Sequence, residues 1–207
     1  MDVRGLLTYK LFFYWCNISA IICTMYSKLI CLLKDVRIGK YNKFYGLPLI
    51  VRHPYSTISI ANNCRFRSDS SSNLIGVNRK CIISTNSPNA RVSIGNNCGF
   101  SGTSIGCLVE IIIDDNVLLG ANTLITDFDW HNLDPSKRSL PVQKGSPIRI
   151  EENVFIGYGA TILKGVNIGK NSVIGAHSVV TSNIPANCIA AGNPCKVIKY
   201  FYEELQD

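Results

Sequence analysis

The residues best suited to chemistry surround His131, one of three histidines in this chain. Asp127, Asp129 and Asp134 all lie within four positions of it, and neither of the other histidines has such neighbours. A carboxylate that accepts a proton from one ring nitrogen fixes the tautomer and leaves the other nitrogen as a general base. The pattern therefore predicts a general base at His131. The alternative is a solvated surface histidine among turn-forming aspartates.

The fold that must position His131 is indicated by a period of six. An aliphatic residue recurs at every sixth position, at Ile150, Ile156, Ile162, Ile168, Ile174 and Val180. Helices repeat apolar residues near every 3.6 positions and strands every two, so this period indicates short strands joined by equivalent turns. Three hexads make a triangular coil of about 18 residues, and stacked coils bury a prism-shaped core. The sequence therefore predicts an all-β solenoid.

Degenerate copies of the hexad extend the predicted solenoid towards the N-terminus. They lie around Ile113 to Ile125, around Ile94 to Phe100 after a one-residue slip, and around Ile60 to Phe66. We expect the first coil to begin near Arg37. The predicted organisation is an apolar helical segment at 1–35, one solenoid at 36–193 and a C-terminal tail at 194–207.

A long polar segment interrupts the repeat between Ile125 and Ile150, and it contains His131. A solenoid gains no stability by extruding a loop of this length, and long structureless loops in compact domains are usually functional. We therefore expect loop 126–149 to carry the chemistry.

Composition narrows the class of partner. The 207 residues are 46% hydrophobic and 17% charged, which describes one globular domain, and the net charge is +7. No basic helix, zinc module or aromatic-basic motif is present, so the charge does not predict nucleic-acid binding. An anionic cofactor or an acidic membrane surface suits it better.

The nine cysteines show no paired spacing, which indicates reduced thiols and a cytoplasmic protein. Cys64 and Cys98 occupy the small inward position of their hexads, so we interpret them as core residues. No basic or histidine neighbour is available to lower a thiol pKa, and a cysteine nucleophile is therefore not expected.

The N-terminal segment contains an uncharged stretch from Leu11 to Ser27, bounded by Lys10 and Lys28. Seventeen residues are at the lower limit for a membrane span, and no small-residue cleavage site follows. The favoured interpretation is a helix packed on the solenoid or on a neighbouring subunit. Peripheral membrane contact through residues 6–33, at the inner face, and a true span are the alternatives.

Three segments resemble the hexapeptide-repeat acetyltransferases. They are Asp127-Phe128-Asp129-Trp130-His131-Asn132-Leu133-Asp134 with Arg138, Ile156-Gly157-Tyr158-Gly159-Ala160 through Lys164-Gly165-Val166, and Ala191-Gly192-Asn193-Pro194-Cys195-Lys196-Val197-Ile198. The similarity is greatest to the sugar O-acetyltransferases of bacterial capsule, exopolysaccharide and lipopolysaccharide assembly. It implies a left-handed parallel β-helix with an extruded catalytic loop, despite the general preference for right-handed crossovers.

The resemblance also implies roles for individual residues. His131 would remove a proton from an acceptor hydroxyl that attacks acetyl-CoA directly, with Asp129 or Asp127 orienting the imidazole. The implied acceptor-binding residues are Ser101, Asp127, Trp130 and Arg138. At Ser101 the relatives carry an asparagine.

For acetyl-CoA, the resemblance assigns the pantetheine arm to Tyr158, Gly159 and Ala176. Thr181 matches a cofactor-binding threonine, and Ser182 stands where lysine is usual. Lys196 matches a final basic residue and would face the 3′-phosphate. No metal is expected.

Other functions remain open at this stage. A γ-class carbonic anhydrase would need three convergent histidines, two of them closely spaced, and this spacing is absent. Sugar N-acetylation, serine or antibiotic acetylation and a non-catalytic scaffold are further alternatives. The resemblance implies a homotrimer, because a prism offers flat faces and an extruded loop can reach a neighbouring chain.

Overall fold

Each predicted hexad forms one short strand followed by a turn, and the strands pair in parallel to give a β-helix with three sheets. The computed structural model describes residues 2–142 and 144–201. One sheet (sheet A) comprises β1 (Arg37–Ile38), β4 (Thr57–Ile60), β7 (Arg91–Ile94), β10 (Glu110–Ile113), β13 (Ile148–Ile150) and β16 (Asn167–Ile168). Sheet B comprises β2 (Lys43–Tyr45), β5 (Arg65–Arg67), β8 (Gly99–Ser101), β11 (Leu118–Leu119), β14 (Phe155–Ile156), β17 (Val173–Ile174), β19 (Cys188–Ala191) and β20 (Lys196–Tyr200). Sheet C comprises β3 (Leu49–Val51), β6 (Ile82–Thr85), β9 (Ser104–Cys107), β12 (Leu124–Thr126), β15 (Thr161–Ile162) and β18 (Val179–Val180).

Strand register confirms the predicted coil length. The aligned pairs in the late coils are Ile150 with Ile168, Ile156 with Ile174, and Ile162 with Val180. Each pair is 18 residues apart, so one coil contains three hexads. The predicted one-residue slip is also present, because Ile94 pairs with Ile113 and Phe100 with Leu119.

The core is one continuous column of inward side chains. All six aliphatic residues of the regular hexads are fully buried. The early coils use larger residues, and Phe44, Phe66 and Phe100 stack with ring centroids 4.8 and 4.7 Å apart. Cys64 and Cys98 are buried in the core as predicted.

Asparagines form the turns at one corner of the prism. Asn97, Asn116 and Asn171 adopt positive φ angles of 59–60°, a region that asparagine tolerates better than most residues. Their side-chain amides also bond from coil to coil, as from Asn97 to Asn116 at 3.0 Å. The recurrent asparagines of the sequence are therefore structural.

The N-terminal segment forms α1 (Val3–Leu33), which begins after the capping carboxylate of Asp2. The second half of α1 lies over the first coil, where Thr24 Oγ1 accepts a hydrogen bond from the backbone N–H of Phe44 at 2.9 Å. Just beyond α1, Lys34 Nζ donates to the carbonyl of Ile50 at 2.6 Å. By length and composition α1 could cross a membrane, with a mean hydropathy of 1.6.

The C-terminal segment differs from the expected tail. Strand β20 pairs antiparallel with β19, with Cys188 opposite Tyr200 and Ala191 opposite Lys196. The solenoid therefore ends in a reversed strand, which covers the otherwise unpaired edge of β19. Residues 202–207 of the expected tail lie outside the described residues.

Candidate active site

Asp127 anchors the base of the loop, and its position corrects the sequence interpretation. Its carboxylate is fully buried and accepts hydrogen bonds from the backbone N–H groups of Leu108, Val109 and Glu110, at 2.6, 2.7 and 2.8 Å. The Cys107 thiol also donates to it at 3.5 Å. These contacts hold Asp127 in the core, and its carboxylate makes no hydrogen bond to His131 within the described residues.

Both ionisable groups of this buried cluster have pKa values above their ordinary range. Burial raises the pKa of Asp127, although the three N–H donors act in the opposite direction. Burial and the neighbouring carboxylate raise the pKa of the Cys107 thiol, which keeps it protonated as a donor. The cluster is therefore a structural clamp.

Three further contacts fix the shape of the loop and attach it to the solenoid. The backbone N–H of Ser146 donates to the carbonyl of Asp127 at 2.8 Å, which closes the loop at its base. The Trp130 ring packs on Phe128 with centroids 4.8 Å apart and covers Gly106 of β9. A Cβ at Gly106 would lie 2.6 Å from that ring, so only glycine leaves room for it.

His131 lies in a polar cavity of about 580 Å³ between the loop and the turn after β15. The charged and amide residues of the lining are Asp129, His131, Asn132, Asp134, Lys137, Lys144 and Lys164. Within residues 2–142 and 144–201, neither ring nitrogen of His131 makes a hydrogen bond, and the side chain is exposed. The imidazole can therefore meet a reactant from the cavity.

The predicted pairing of His131 with a carboxylate is not found in the protomer. Asp129 forms an ion pair with Lys164. Asp134 caps the 3₁₀ turn Pro135–Lys137 and accepts hydrogen bonds from the hydroxyl and backbone N–H of Ser136 at 2.7 and 3.0 Å. Those bonds hold the pKa of Asp134 below its usual range.

The loop tip is organised by Asn132, which the sequence analysis did not single out. Its Nδ2 donates to the carbonyls of Lys137 and Leu140, both at 2.9 Å. Lys164 was also missed, although it lies two positions after a buried hexad residue. Stacking that hexad on the one before the loop would have placed Lys164 beside the loop. Arg138, by contrast, is exposed at the end of the 3₁₀ turn and does not line the cavity.

The remaining predicted residues lie on two edges of sheet C. On the edge shared with sheet B, the turn at Ser101 stacks on that of Asn122, which donates to Tyr158 Oη at 3.1 Å. The backbone N–H of His177, which follows Ala176, donates to the carbonyl of Tyr158 at 2.7 Å.

Two of these residues are already engaged within the chain. Ser101 Oγ accepts a hydrogen bond from Asn73 at 3.1 Å and is nearly buried. Gly159 has a φ of +64°, and the His177 ring lies over it, where a Cβ would approach within 2.7 Å. The edge therefore combines exposed backbone and small residues, such as Ala176, with the paired rings of Tyr158 and His177.

Lys196 is exposed at the start of β20, beyond the last turn of that same edge. Thr181 and Ser182 follow β18 and are exposed on the opposite edge of sheet C, the edge that also carries Lys164 and the loop. The candidate base and most of the expected cofactor residues thus lie on different edges of one chain. Among the described residues, no group of His, Cys, Asp and Glu has the geometry of a metal site.

Comparison with known proteins agrees with this architecture. Residues 147–182 match the family described as the hexapeptide repeat of succinyl-transferase. The galactoside O-acetyltransferase of Lactococcus lactis subsp. lactis is 46% identical over 88 residues, or 42% of each chain. The galactoside O-acetyltransferase of Escherichia coli K12 is 44% identical over 89 residues, or 43% of each chain.

A solved structure shows the same fold over most of the chain. AntD, an N-acyltransferase from Bacillus cereus in complex with dTDP and 3-hydroxybutyryl-CoA, has a TM-score of 0.60 at 20% identity, covering 84% of this chain and 87% of that one. In its repeat and in the matched part of its sequence, the chain is therefore similar to hexapeptide-repeat acetyltransferases. The chain spans less than half the length of the curated relatives it matches.

Proposed function

We propose that this protein transfers an acetyl group from acetyl-CoA to a hydroxyl of a sugar or polysaccharide precursor, with His131 as the general base. The observation that carries the proposal is an exposed imidazole in a polar cavity, on a loop held to a rigid solenoid. The names of the galactoside O-acetyltransferase relatives support the acceptor class.

The chemistry needs a base rather than a nucleophile on the protein. His131 accepts the proton of the acceptor hydroxyl as the oxygen attacks the thioester carbonyl, and returns it to sulfur as the carbon–sulfur bond breaks. Bound acetyl-CoA supplies the activated acetyl group. Positioning both reactants accounts for the rest of the acceleration, so a rigid loop anchor matters as much as the base.

The edge between sheets B and C suits the pantetheine arm. Tyr158, Gly159 and Ala176 lie along it, and the small residues Gly159 and Ala176 leave backbone accessible beside the Tyr158 and His177 rings. Lys196, at the end of the edge, has the charge and exposure to meet the 3′-phosphate. Thr181 and Ser182 belong to the opposite edge, where they lie nearer the loop.

A homotrimer would bring the edge that carries His131 next to the edge that carries Tyr158. If the loop of each chain reaches the edge between sheets B and C of its neighbour, His131 meets acetyl-CoA across a subunit boundary. Cyclic symmetry then gives three equivalent sites. The cavity around His131 would then become the acceptor pocket. Lys137, Lys144 and Lys164 would supply donors for saccharide oxygens. We place this activity in the cytoplasm, because all nine cysteines are free thiols, as expected in a reducing compartment.

The test is a CoA-release assay with acetyl-CoA and a panel of nucleotide sugars, lipid-linked sugars and free saccharides. We expect release with at least one saccharide, and His131→Ala to lower kcat by about two to four orders of magnitude with little change in CoA affinity. His53→Ala is the matched control, because His53 lies in the turn after β3, outside the cavity. Equal activity in the two variants would remove His131 from the mechanism.

A further inference from the structure

Helix α1 reverses the arrangement expected of a helix that packs on a protein in water: its small and polar residues face the solenoid, and its large apolar residues are exposed. The face that meets the first coil carries small and polar residues, at Cys16, Ser19, Ala20, Cys23, Thr24, Ser27 and Cys31. These positions recur with helical spacing, so they form one stripe. Small residues allow the helix backbone to approach the solenoid closely, as they do between helices in membranes.

The opposite face carries large apolar residues. Ile21, Ile22, Met25, Leu29, Leu32 and Leu33 are each 51–75% exposed. They extend from Ile21 to Leu33, and Leu11, Trp15 and Ile18 continue the same face towards the N-terminus. Soluble proteins rarely leave a continuous apolar surface of this size in water, so it is built for a non-aqueous contact.

Docking fixes the direction of α1 relative to the solenoid. Its attachment points run from Cys16, whose Sγ lies 3.9 Å from Ser71 Oγ, through Thr24 to Lys34. The helix therefore lies across the end of the prism while it is docked. The part before Cys16 is too short to cross a bilayer alone, because a span needs about 20 residues.

Charge at this end of the prism selects the partner. Residues 1–45 contain seven Lys or Arg and two Asp, so they hold +5 of the net charge of +7. Arg37, Lys40 and Lys43 are exposed on the first coil beside α1. An anionic lipid surface attracts such a cluster, whereas a second copy of the same end would repel it.

Tyr41 lies at the same end of the prism as α1 and the basic residues. It is exposed and lies across a cleft of about 420 Å³ from Ile21 and Met25, which mark the border between the docked and outward faces of α1. Aromatic residues with a polar tip are favoured where apolar and aqueous phases meet. Apolar surface, basic cluster and interfacial tyrosine therefore occupy one end of the prism.

We propose that α1 and the first coil dock this protein on an anionic bilayer, with the helix lying in the plane of the interface. The apolar face of α1 enters the boundary between headgroups and acyl chains, and the basic residues meet the lipid phosphates. The prism then stands away from the surface. Its loop cavity lies three coils further along, about 15 Å beyond the first coil at the spacing of paired strands.

The experiment is flotation of the full chain with vesicles of phosphatidylcholine containing about three parts in ten phosphatidylglycerol. We expect binding that weakens when salt rises from about 0.1 to about 0.5 M, and much weaker binding to phosphatidylcholine alone. Ile22→Asp with Leu29→Asp should lower partitioning about tenfold or more, because two apolar side chains on the inserted face become charged. The unfolding temperature of this double variant should equal that of the unmodified protein, since both side chains face away from the solenoid.

Ile198→Asp is the control, because Ile198 is equally exposed at the opposite end of the prism and should not affect binding. Undiminished vesicle binding by the helix variant would overturn the proposal. A second result would also overturn it: the unmodified protein does not bind vesicles, and its mass in solution is larger than that of the helix variant. That result would show that a second copy of the chain covers α1. Resistance of the bound protein to alkaline carbonate extraction would indicate a span and overturn the in-plane arrangement.

Discussion

At the residue scale, the carboxylates near His131 have separate roles. Asp127 is buried against three backbone N–H groups, Asp129 holds Lys164, and Asp134 caps a turn. Only Asp129 and Asp134 line the cavity with His131. Proximity in sequence therefore did not mean a shared function, because successive residues at the base of an extruded loop point in different directions.

Asp127→Asn should destabilise the fold by about 2–4 kcal/mol, since an amide nitrogen would oppose N–H donors in a buried site. Urea denaturation of both proteins measures this difference. Asp129→Asn is the matched control and should change stability by less than about 1 kcal/mol, because its ion pair is partly exposed. Similar stability losses in the two variants would argue against the clamp.

Lys196→Ala should weaken acetyl-CoA about tenfold while leaving dephospho-CoA nearly unaffected, because the charge-assisted contact exists only with the 3′-phosphate. Isothermal titration with the two ligands measures the difference. Lys170→Ala provides the comparison, since Lys170 is exposed in the turn after β16, a turn between sheets A and B. Equal weakening of both ligands by Lys196→Ala would place this lysine elsewhere.

At the scale of elements, the loop is held by its base and by Trp130 against β9, and its tip is held by Asn132. The contacts of Trp130 and Asn132 lie outside the solenoid core, whereas those of Asp127 at the base lie within it. Loop order and global stability should therefore respond to different substitutions.

Trp130→Ala should lower kcat/KM about tenfold or more, because a loosened loop no longer holds His131 in place. Trypsin should also cut the variant faster at the basic residues Lys137, Arg138 and Lys144, while the unfolding temperature changes little. Tyr55→Ala removes an exposed aromatic residue outside the loop and serves as the control. Unchanged loop cleavage in Trp130→Ala would show that the ring does not anchor the loop.

The regular coils could be predicted from the sequence because one inward residue per strand repeats without interruption, as Ile150 to Val180 show. The role of Asp127 could not, since it depends on the return of residues 108–110 to the same coil end. The outward apolar face of α1 was equally hidden, because a helix that is apolar all round gives no sign of which side is docked. Strand β20 was not evident either, since Lys196–Tyr200 does not alternate apolar and polar residues and is exposed along its length.

At the scale of the whole molecule, the described protomer separates its candidate base from most of its candidate cofactor groove. His131 is on the edge of sheet C that meets sheet A, and Tyr158 and Lys196 belong to the edge that meets sheet B. A trimer brings unlike edges of neighbouring chains together. Light scattering should therefore give three times 22.8 kDa.

The most direct test of a shared acetyltransferase site is subunit mixing. With acetyl-CoA held well below the KM of the Lys196→Glu chain, His131→Ala and Lys196→Glu chains are each expected to be nearly inactive in CoA release. Refolded together in equal amounts, they should recover about a quarter of wild-type activity, because a quarter of the boundaries then pair an intact His131 with an intact Lys196. Mixed trimers with no recovered activity would place both residues in a site within one chain and contradict the account.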